Sequence, residues 1–338
     1  MKSIRRYFRK AATFSFVLSS CCEIVASQTE PCIHRTIIAS LTNRDWAPIT
    51  GVRREDLVGE FRGKPVQLLS LTPDEGPRRI VILLDASGSL NDGGQTGPAG
   101  WYISVALASH IVEAKLARTE LALIIFNERI LEVLDFDSGQ AKLAERLRQI
   151  GSDPNYRKLN VKGKTALWDA ADEALARLGR SNETREIYAI TDGEDNASRI
   201  KERELHRRLA ESQTKMFATM VKTSTQNRRH TAEELEGPDS LTEMVTQSGG
   251  VVFGPVMQTH NGVLFGGLDR SRDLKLGDAL ANFYHSMQSG FRVEMEIPRP
   301  PNRWSSWNLD LSKPAKSRFK SYQLGFTSEI SPCLAHSD

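Results

Sequence analysis

The sequence contains few cysteines and few histidines, the residues that hold structural zinc and that supply the base of a catalytic triad. Only 4 of its 338 residues are cysteines, and no two of them have the Cys-x-x-Cys spacing of a structural zinc site. The 7 histidines are scattered, without the spacing of a metal site or a triad. With 39% hydrophobic and 26% charged residues, the chain has the composition of a soluble globular protein. This composition excludes a disordered chain and a membrane protein with several spans.

The sequence also has no excess of positive charge outside its first 27 residues. Its formal net charge is +3. Residues 1–27 contain five bases and one acid, so the rest of the chain has a net charge of −1. No basic field remains that would attract nucleic acid or acidic lipid to the protein as a whole. We therefore expect no nucleic-acid partner.

Residues 1–27 have the layout of an export signal. Five bases precede a short, mostly apolar stretch, Ala11–Ser20, which is too short to span a bilayer as a helix. Small residues at positions 25–27 offer a cleavage site before Gln28. The segment that ends at Cys21 also fits a bacterial lipobox, in which this cysteine becomes the lipidated first residue. We expect an exported protein, periplasmic, secreted or at the cell surface, with plain cleavage and a lipid anchor both open.

Two of the cysteines, Cys32 and Cys333, lie near the two ends of the folded region. Both remain after cleavage of the signal, and an exported protein can keep a disulfide. We expect these two cysteines to pair with each other. Two unrelated thiols are the alternative.

A buried strand followed by oxygen-bearing side chains is the feature around which the chain is organised. Ile80–Leu84 is a continuous apolar run, typical of a strand that is covered on both faces in a parallel sheet. Asp85, Ser87 and Ser89 follow at alternate positions, and Gly88 allows a sharp turn between the two serines. One carboxylate and two hydroxyls on a tight loop suit a hard divalent cation.

Two later segments can complete this set of oxygens. Thr165 stands at the start of a predicted helix, and Asp192 follows a second buried strand, residues 186–191. Strands and helices alternate over residues 79–290, which predicts an α/β fold with a doubly wound, mostly parallel, six-stranded sheet. In such a sheet the first and fourth strands flank the point where the strand order reverses. Asp85 and Asp192 then share one crevice.

The two flanks of this region differ from it in pattern. Residues 28–78 and 291–330 alternate apolar and polar residues as strands do, with a hairpin around Gly63-Lys64. Neither flank has enough strands for a stable sheet of its own. We expect both flanks to form one small β domain beside the α/β domain of residues 79–290.

The three motif segments resemble the metal-ion-dependent adhesion site (MIDAS) of von Willebrand factor A (VWA) domains, whose pattern is Asp-x-Ser-x-Ser, then Thr, then Asp. With its flanks, the region from about residue 33 to residue 326 resembles the VWFA-related proteins typical of Acidobacteria. The resemblance implies a Rossmann-like fold and an exported binding protein. It also implies that Mg²⁺, with Mn²⁺ or Ca²⁺ as alternatives, is held by Asp85, Ser87, Ser89, Thr165 and Asp192.

The resemblance further implies how such a site acts. Ser87, Ser89 and Thr165 present hydroxyls to the ion, and the two aspartates act directly or through water. With so few charged ligands the metal stays electrophilic, so a Glu or Asp of a protein partner can complete its shell. The implied role is cell adhesion or another protein–protein interaction, without catalysis.

Other residues near the motifs have plainer interpretations. We expect Asp169 to support the loop rather than contact a metal. The polar run Glu194–Asn196 is expected to face solvent or a partner. Trp101 and Trp168 are expected to be packing residues rather than a platform for a ligand.

An enzyme is the rival interpretation. Asp85 after a buried strand is similar to the nucleophile of haloacid-dehalogenase-type phosphatases, but that motif needs a second Asp where this chain has Ser87. The segment Gly163–Thr165 is similar to the end of a P-loop, but Lys158 stands where the first glycine of that motif belongs. A structural envelope protein, whose metal only rigidifies the loops, is the third interpretation.

Overall fold

The structure is a computed structural model that describes residues 32–91, 100–180, 183–222, 232–259, 262–265 and 275–333. The expected export signal and the candidate lipid anchor at Cys21 lie outside the described residues. Among the helices that are described, none is both long enough and apolar enough to cross a bilayer.

The predicted hairpin of the N-terminal flank is present, but its turn lies one residue earlier than the sequence pattern predicts. The flank contains three strands: β1 (His34–Asn43), β2 (Leu57–Phe61) and β3 (Lys64–Asp74). β2 and β3 pair antiparallel through a two-residue turn at Arg62 and Gly63, both of which have a positive φ. A turn of this kind matches the right-handed twist of the strands that it joins.

Strands and helices alternate through the central part of the chain. The strands are β4 (Arg78–Asp85), β5 (Thr119–Phe126), β6 (Ile130–Leu134), β7 (Thr184–Thr191), β8 (Lys215–Lys222), β9 (Val252–Thr259) and β10 (Gly262–Phe265). The helices are α1 (Gly100–Glu113), α2 (Gln140–Ser152), α3 (Pro154–Asn160), α4 (Leu167–Leu178), α5 (Glu202–Ser212), α6 (Ala232–Gln247) and α7 (Leu276–Met287).

These strands form one sheet in the order β10-β9-β8-β7-β4-β5-β6. Neighbours from β9 to β5 are parallel, and β6 and β10 are antiparallel edge strands. The six predicted strands are all present, and β10 adds a seventh through a hairpin with β9. The order reverses between β4 and β7, so Asp85 and Asp192 follow neighbouring strands at the same edge of the sheet.

Helices cover both faces of this sheet. α1, α2 and α7 pack on the face that carries Ile80, Ile82 and Leu84, whereas α4, α5 and α6 pack on the face that carries Val81 and Leu83. Successive residues of a strand point to opposite faces. Because both faces of β4 are covered, every residue from 80 to 84 must be apolar. The predicted doubly wound α/β fold is thereby confirmed.

Short or interrupted helices were predicted least well. The sequence pattern predicts a helix that starts at Asp239 or Ser240, but α6 starts at Ala232 and contains Pro238. A proline is unfavourable inside a helix because it lacks an N–H donor. The preceding turn packs tightly on the loop after β7, where a Cβ on Gly237 would lie 2.7 Å from the oxygen of Gly193. Tertiary packing therefore overrides the local signal.

The C-terminal flank completes a second sheet. Its elements are β11 (Gly290–Glu296), β12 (Ser305–Ser306), β13 (Asn308–Leu311), α8 (Lys313–Arg318), β14 (Tyr322–Phe326) and β15 (Glu329–Ile330). The second sheet has the order β13-β2-β3-β11-β1-β14, so strands of the two flanks pair with each other, as predicted. A disulfide joins Cys32 and Cys333, which confirms the expected pairing. The exact boundaries between the parts of the chain stay a prediction.

The second sheet is anchored to the α/β part by an inserted side chain and by close backbone contact. Trp46, in the loop after β1, is fully buried, and its Nε1 donates a hydrogen bond of 2.9 Å to the carbonyl oxygen of Val252. Its ring centroid is 4.3 Å from that of Phe253. Nearby, the backbone of Gly325 in β14 packs directly against the backbone of Gly250.

Four charged side chains are buried where the two sheets meet. Arg78 and Lys215 begin β4 and β8, and they lie against Asp74 at the end of β3 and Glu186 in β7. Arg78 Nη1 is 3.2 Å from Glu186 Oε1 and 3.4 Å from Asp74 Oδ2. Lys215 Nζ is 2.8 Å from Glu186 Oε1. Two positive and two negative charges are thus buried at the end of the central sheet that is opposite Asp85. The partly exposed Arg292 also contacts this cluster, with its Nε 3.3 Å from Asp74 Oδ1.

Candidate metal site at the carboxyl end of the central sheet

The loop after β4 fixes Asp85 and brings two serine hydroxyls together. The Asp85 side chain is fully buried. Its Oδ1 accepts a hydrogen bond of 2.7 Å from the backbone N–H of Ser87, and its Oδ2 accepts one of 2.6 Å from Thr191 Oγ1. The hydroxyl oxygens of Ser87 and Ser89 are 3.0 Å apart. Both carboxylate oxygens are therefore oriented, and the two hydroxyls lie on the same side of the loop.

The segment before Thr165 is hydrogen-bonded to the Asp85 loop. The N–H of Gly88 donates to the oxygen of Gly163 at 3.0 Å, and the N–H of Lys162 donates to the oxygen of Ala86 at 3.0 Å. A Cβ at Gly88 would lie 3.1 Å from the Gly163 oxygen, so glycine permits this close approach. These bonds place the Thr165 segment beside the two serines.

Asn127 holds the same segment from the tip of β5. Its side-chain amide donates hydrogen bonds to the carbonyl oxygens of Asn160 (3.2 Å) and Lys162 (3.1 Å). The backbone carbonyl oxygen of Asn127 accepts a hydrogen bond of 2.8 Å from the N–H of Ala166. Thr165 therefore lies in a segment that is fixed on both sides by one asparagine.

The loop after β7 joins the other two loops. Asn196 Oδ1 accepts a hydrogen bond of 2.9 Å from the N–H of Thr165, and the Thr165 oxygen accepts bonds from the N–H groups of Asn196 and Ala197 at 3.0 and 2.9 Å. Thr191 contacts Asp85 as described, and its Oγ1 also accepts a bond from the N–H of Gly193 at 3.1 Å. The structure thus brings together the three loops that carry the predicted ligands.

Charge at this edge of the sheet favours a bound cation. Burial and, after it, the negative charge of Asp192 raise the pKa of Asp85 to about 7, although hydrogen bonds from Thr191 and Ser87 act in the opposite direction. Among the described residues, no Lys, Arg or His side chain forms an ion pair with Asp85. A divalent cation among these oxygens would supply the missing positive charge, so the residues fit a metal ion.

The donor set is rich in hydroxyls rather than in charged ligands. Within the described part of the chain, no cluster of three or more His, Cys, Asp or Glu side chains could hold a metal ion. A metal between the three loops would instead depend on Ser87, Ser89 and Thr165 for part of its shell. Neutral oxygens of this kind suit Mg²⁺ or Mn²⁺ better than they suit zinc.

Several neighbours support the loops. Asp169 Oδ1 accepts bonds of 3.0 Å from the N–H groups of Arg199 and Ile200, so it braces a loop as predicted. Asp195 Oδ1 accepts a bond of 3.2 Å from the N–H of Trp168 in the first turn of α4. The prediction that the run Glu194–Asn196 faces solvent or a partner is therefore wrong for Asp195 and Asn196. Both turn inward because the N–H groups around Thr165 need acceptors.

The expected packing role of two tryptophans is confirmed. Trp101 is fully buried and Trp168 is 5% exposed, and each lies in the hydrophobic core on its own face of the sheet. The sequence interpretation overlooked Thr191 and Asn127. The only sequence signal for either residue was its position at the tip of a buried strand. Thr191 also stands directly before the motif residue Asp192.

One family model matches the region that carries these loops. Residues 80–194 match the model described as the von Willebrand factor type A domain. The chain contains a VWA domain. The match begins in the strand before Asp85 and ends in the loop after Asp192, so all three motif segments lie within it. No curated protein matches the chain at a significant level.

Three solved structures resemble the chain that contains this VWA domain. The hypothetical protein BatB of Bacteroides thetaiotaomicron is 19% identical, with a TM-score of 0.41, over 63% of this chain and 97% of that one. An aerotolerance-related membrane protein of Bacteroides fragilis is 16% identical, with a TM-score of 0.39, over 63% and 98%. Proximal thread matrix protein 1 of the mussel byssus, which has a zinc-occupied MIDAS motif, is 14% identical, with a TM-score of 0.46, over 67% and 50%. Such low values say nothing about the function of this chain.

Proposed function

We propose that the chain is an exported binding protein whose VWA domain holds Mg²⁺ and uses it to bind an acidic side chain of a protein partner. The observation that supports this proposal most is the buried Asp85 carboxylate, which has both oxygens hydrogen-bonded and the negative charge of Asp192 near it. Burial of the Asp85 carboxylate near a second negative charge is unfavourable unless positive charge compensates it.

The proposed ligands are those that the motif names: Asp85, Ser87, Ser89, Thr165 and Asp192. The three hydroxyls would face the ion, and the two aspartates would act directly or through water. Mg²⁺ bound there supplies positive charge that a partner's Glu or Asp can meet. Mn²⁺ is a close substitute, whereas Ca²⁺ usually takes more ligands than Mg²⁺ does.

Export is supported by two features outside the VWA motifs. The first 27 residues have the layout of a signal, and the Cys32–Cys333 disulfide fits an oxidising compartment. Cleavage before Gln28 leaves a free protein, and lipidation at Cys21 leaves an anchored one. Mass spectrometry of the mature N-terminus distinguishes the two.

Among the described residues of the site, the sequence position that would carry the second aspartate of a phosphatase motif holds a serine. This position, two residues after Asp85, is where the motif needs an acid and base. It is Ser87, and its hydroxyl oxygen is 3.0 Å from that of Ser89. We therefore propose binding rather than catalysis. A purely structural role for the metal is the third interpretation. In that case EDTA would remove the metal without releasing a bound partner protein, whereas the proposed binding role predicts that the partner is released.

Removal of one hydroxyl tests the metal site directly. We expect calorimetric titration with MgCl₂ to show one site per chain, and we expect Ser87→Ala to weaken it on the order of 100-fold or abolish it. Ser286→Ala is the matched control, because Ser286 is buried in α7 and donates only to the oxygen of Phe283. Equal Mg²⁺ affinity in Ser87→Ala and wild type would refute the proposed site.

Thr191 offers a second prediction, because it orients a ligand without being one. Thr191→Val keeps the shape of the side chain but removes the hydrogen bond to Asp85 Oδ2, so we expect Mg²⁺ affinity to fall about 10-fold. Thr219→Val is the control: it also removes a buried hydroxyl, one that lies 2.6 Å from Tyr188 OH in the neighbouring strand. Thr219→Val is expected to bind Mg²⁺ as the wild type does. The prediction fails if Thr191→Val also keeps the affinity of the wild type.

A further inference from the structure

A run of basic residues leads into the candidate metal site. Between Asp153 and Asp169 the chain has four bases and no acid. Three of the four, Lys158, Lys162 and Lys164, have exposed side chains. They lie at the end of α3 and in the loop that carries Thr165. Positive charge is therefore concentrated in the segment that borders the site, although the mature chain as a whole is slightly acidic.

Backbone hydrogen bonds fix this segment against the Asp85 loop. The N–H of Lys162 donates to Ala86 O, and the oxygen of the next residue, Gly163, accepts from the N–H of Gly88. Arg129, in the turn between β5 and β6, is also exposed, and its neighbour Asn127 holds the same segment. These contacts hold the segment of Lys162 and Lys164 against the loop of the proposed metal site, and Lys158 precedes that segment at the end of α3.

We call the exposed surface formed by Lys158, Lys162, Lys164 and Arg129 the basic platform. Within the described residues, none of these four side chains forms an ion pair, although arginines elsewhere on the surface do, such as Arg146 with Glu132. One acid, Glu128, lies beside the platform, where its Oε2 would be 3.1 Å from a Cβ on Gly163. The platform and this acid together carry a net charge of +3.

An exposed apolar residue stands beside the basic platform in the sequence. Leu159 is 62% exposed, and Val58 in the other sheet is the only other large apolar residue of the described chain that is so exposed. Leu159 stands next to Lys158 at the end of α3. A partner that covered this surface would gain by placing an apolar side chain on Leu159.

We propose that the basic platform makes the site select an acidic protein segment, in which the metal-bound Glu or Asp is flanked by further acids and by an apolar residue. The inference rests on the proposed function and adds a partner class to it. A metal alone accepts almost any exposed carboxylate, so it discriminates little between proteins. Unpaired lysines around it favour partners with several acids, speed their encounter and disfavour basic ones.

The experiment selects 12-residue peptides from a random displayed library on the mature full-length protein in the presence of MgCl₂. The platform variant combines Lys158→Gln, Lys162→Gln and Lys164→Gln. The control variant combines Lys64→Gln, Lys313→Gln and Lys320→Gln, which are exposed lysines in β3, at the start of α8 and in the loop after α8. Both variants change the net charge equally, and substitutions of exposed side chains of this kind have little effect on stability.

We expect wild type and the control variant to select peptides that contain several acids and an apolar residue. The platform variant is expected to select less acidic peptides and to bind the best wild-type peptide on the order of 10-fold more weakly at low salt. The inference is overturned if the two variants select equally acidic peptides, or if no peptide is enriched. It is also overturned if a single-stranded DNA oligonucleotide competes equally well without Mg²⁺, since the platform would then be a general polyanion surface.

Selection on Ser87→Ala separates this inference from the proposed function. If that variant selects the same peptides with the same affinity, the metal has no part in binding and the proposed function fails. If binding needs Mg²⁺ and Ser87 but is indifferent to the three lysines, the function stands and the platform proposal fails.

Discussion

Replacement of Lys215 by Met is expected to destabilise the folded protein by about 3–5 kcal/mol, because it removes one of the two buried cations that compensate Asp74 and Glu186. The Lys215 ammonium is fully buried, 2.8 Å from Glu186 Oε1 and 3.6 Å from Asp74 Oδ2. The Glu186 contact has the distance of an ion pair but not the geometry of a hydrogen bond. Loss of the charge therefore matters more than loss of any single bond. Urea unfolding monitored by fluorescence measures the effect.

The same substitution changes the response to acid. Burial raises the pKa of Asp74, but the charges of Lys215, Arg78 and Arg292 and a hydrogen bond from Thr184 together outweigh it, so the pKa lies below its ordinary value. A carboxylate with a lowered pKa stabilises the fold fully above its unfolded pKa of about 4, and this stabilisation is lost as the pH falls through the folded pKa. Without Lys215 the pKa of Asp74 rises, so this acid-sensitive part of the stability becomes smaller.

Two further variants show whether charge balance is the cause. Lys316→Met removes an exposed partner of Asp310 and is expected to leave stability unchanged within error. The double variant Lys215→Met with Glu186→Gln removes one charge of each sign. We expect it to be more stable than the sum of the two single effects predicts. Strict additivity in this cycle would contradict the charge-balance explanation.

Substitution of Gly325 by Ala is expected to cost about 3 kcal/mol, because the new methyl group would meet backbone rather than a movable side chain. A Cβ at Gly325 would lie 1.9 Å from the oxygen of Gly250 and 3.1 Å from the carbonyl carbon of Gly249. Relief requires β14 to separate from the loop after α6. This separation would loosen the contact between the second sheet and the VWA domain.

Gly277→Ala is the matched control for this prediction. Gly277 lies in the first turn of α7, and nothing would come within 4 Å of its new Cβ. An alanine there is expected to stabilise the protein by about 0.5–1 kcal/mol, through the better helix propensity of alanine. Thermal unfolding of both variants against wild type distinguishes them. A Gly325→Ala protein as stable as Gly277→Ala would show that the backbone contact does not hold the two sheets together.

The sheet could be predicted from sequence because its signal is local. An apolar run such as Ile80–Leu84 is required wherever helices cover both faces of a strand, and the alternation of strands with helices then sets the strand order. That order alone predicts that the loops after β4 and β7 are neighbours. The metal-binding role of Asp85 and Asp192 stays a prediction, to be tested by titration.

Contacts between distant loops could not be predicted in the same way. The bond from Thr191 to Asp85 and the bond from Thr165 to Asn196 join residues that are far apart in sequence, and neither depends on a periodic pattern. Trp46 was missed because a large residue with a positive φ of 61° is rarely expected in a loop. Its position follows from the fit of the second sheet to the core of the VWA domain, which no local signal encodes.

Anomalous X-ray diffraction at the manganese edge, from crystals soaked in MnCl₂, tests most directly whether three separate loops share one cation. We predict a single strong peak between the hydroxyls of Ser87, Ser89 and Thr165 on the side of Asp192, and we predict its disappearance in Ser87→Ala crystals. A manganese peak elsewhere on the protein, with none between these hydroxyls, would contradict the account.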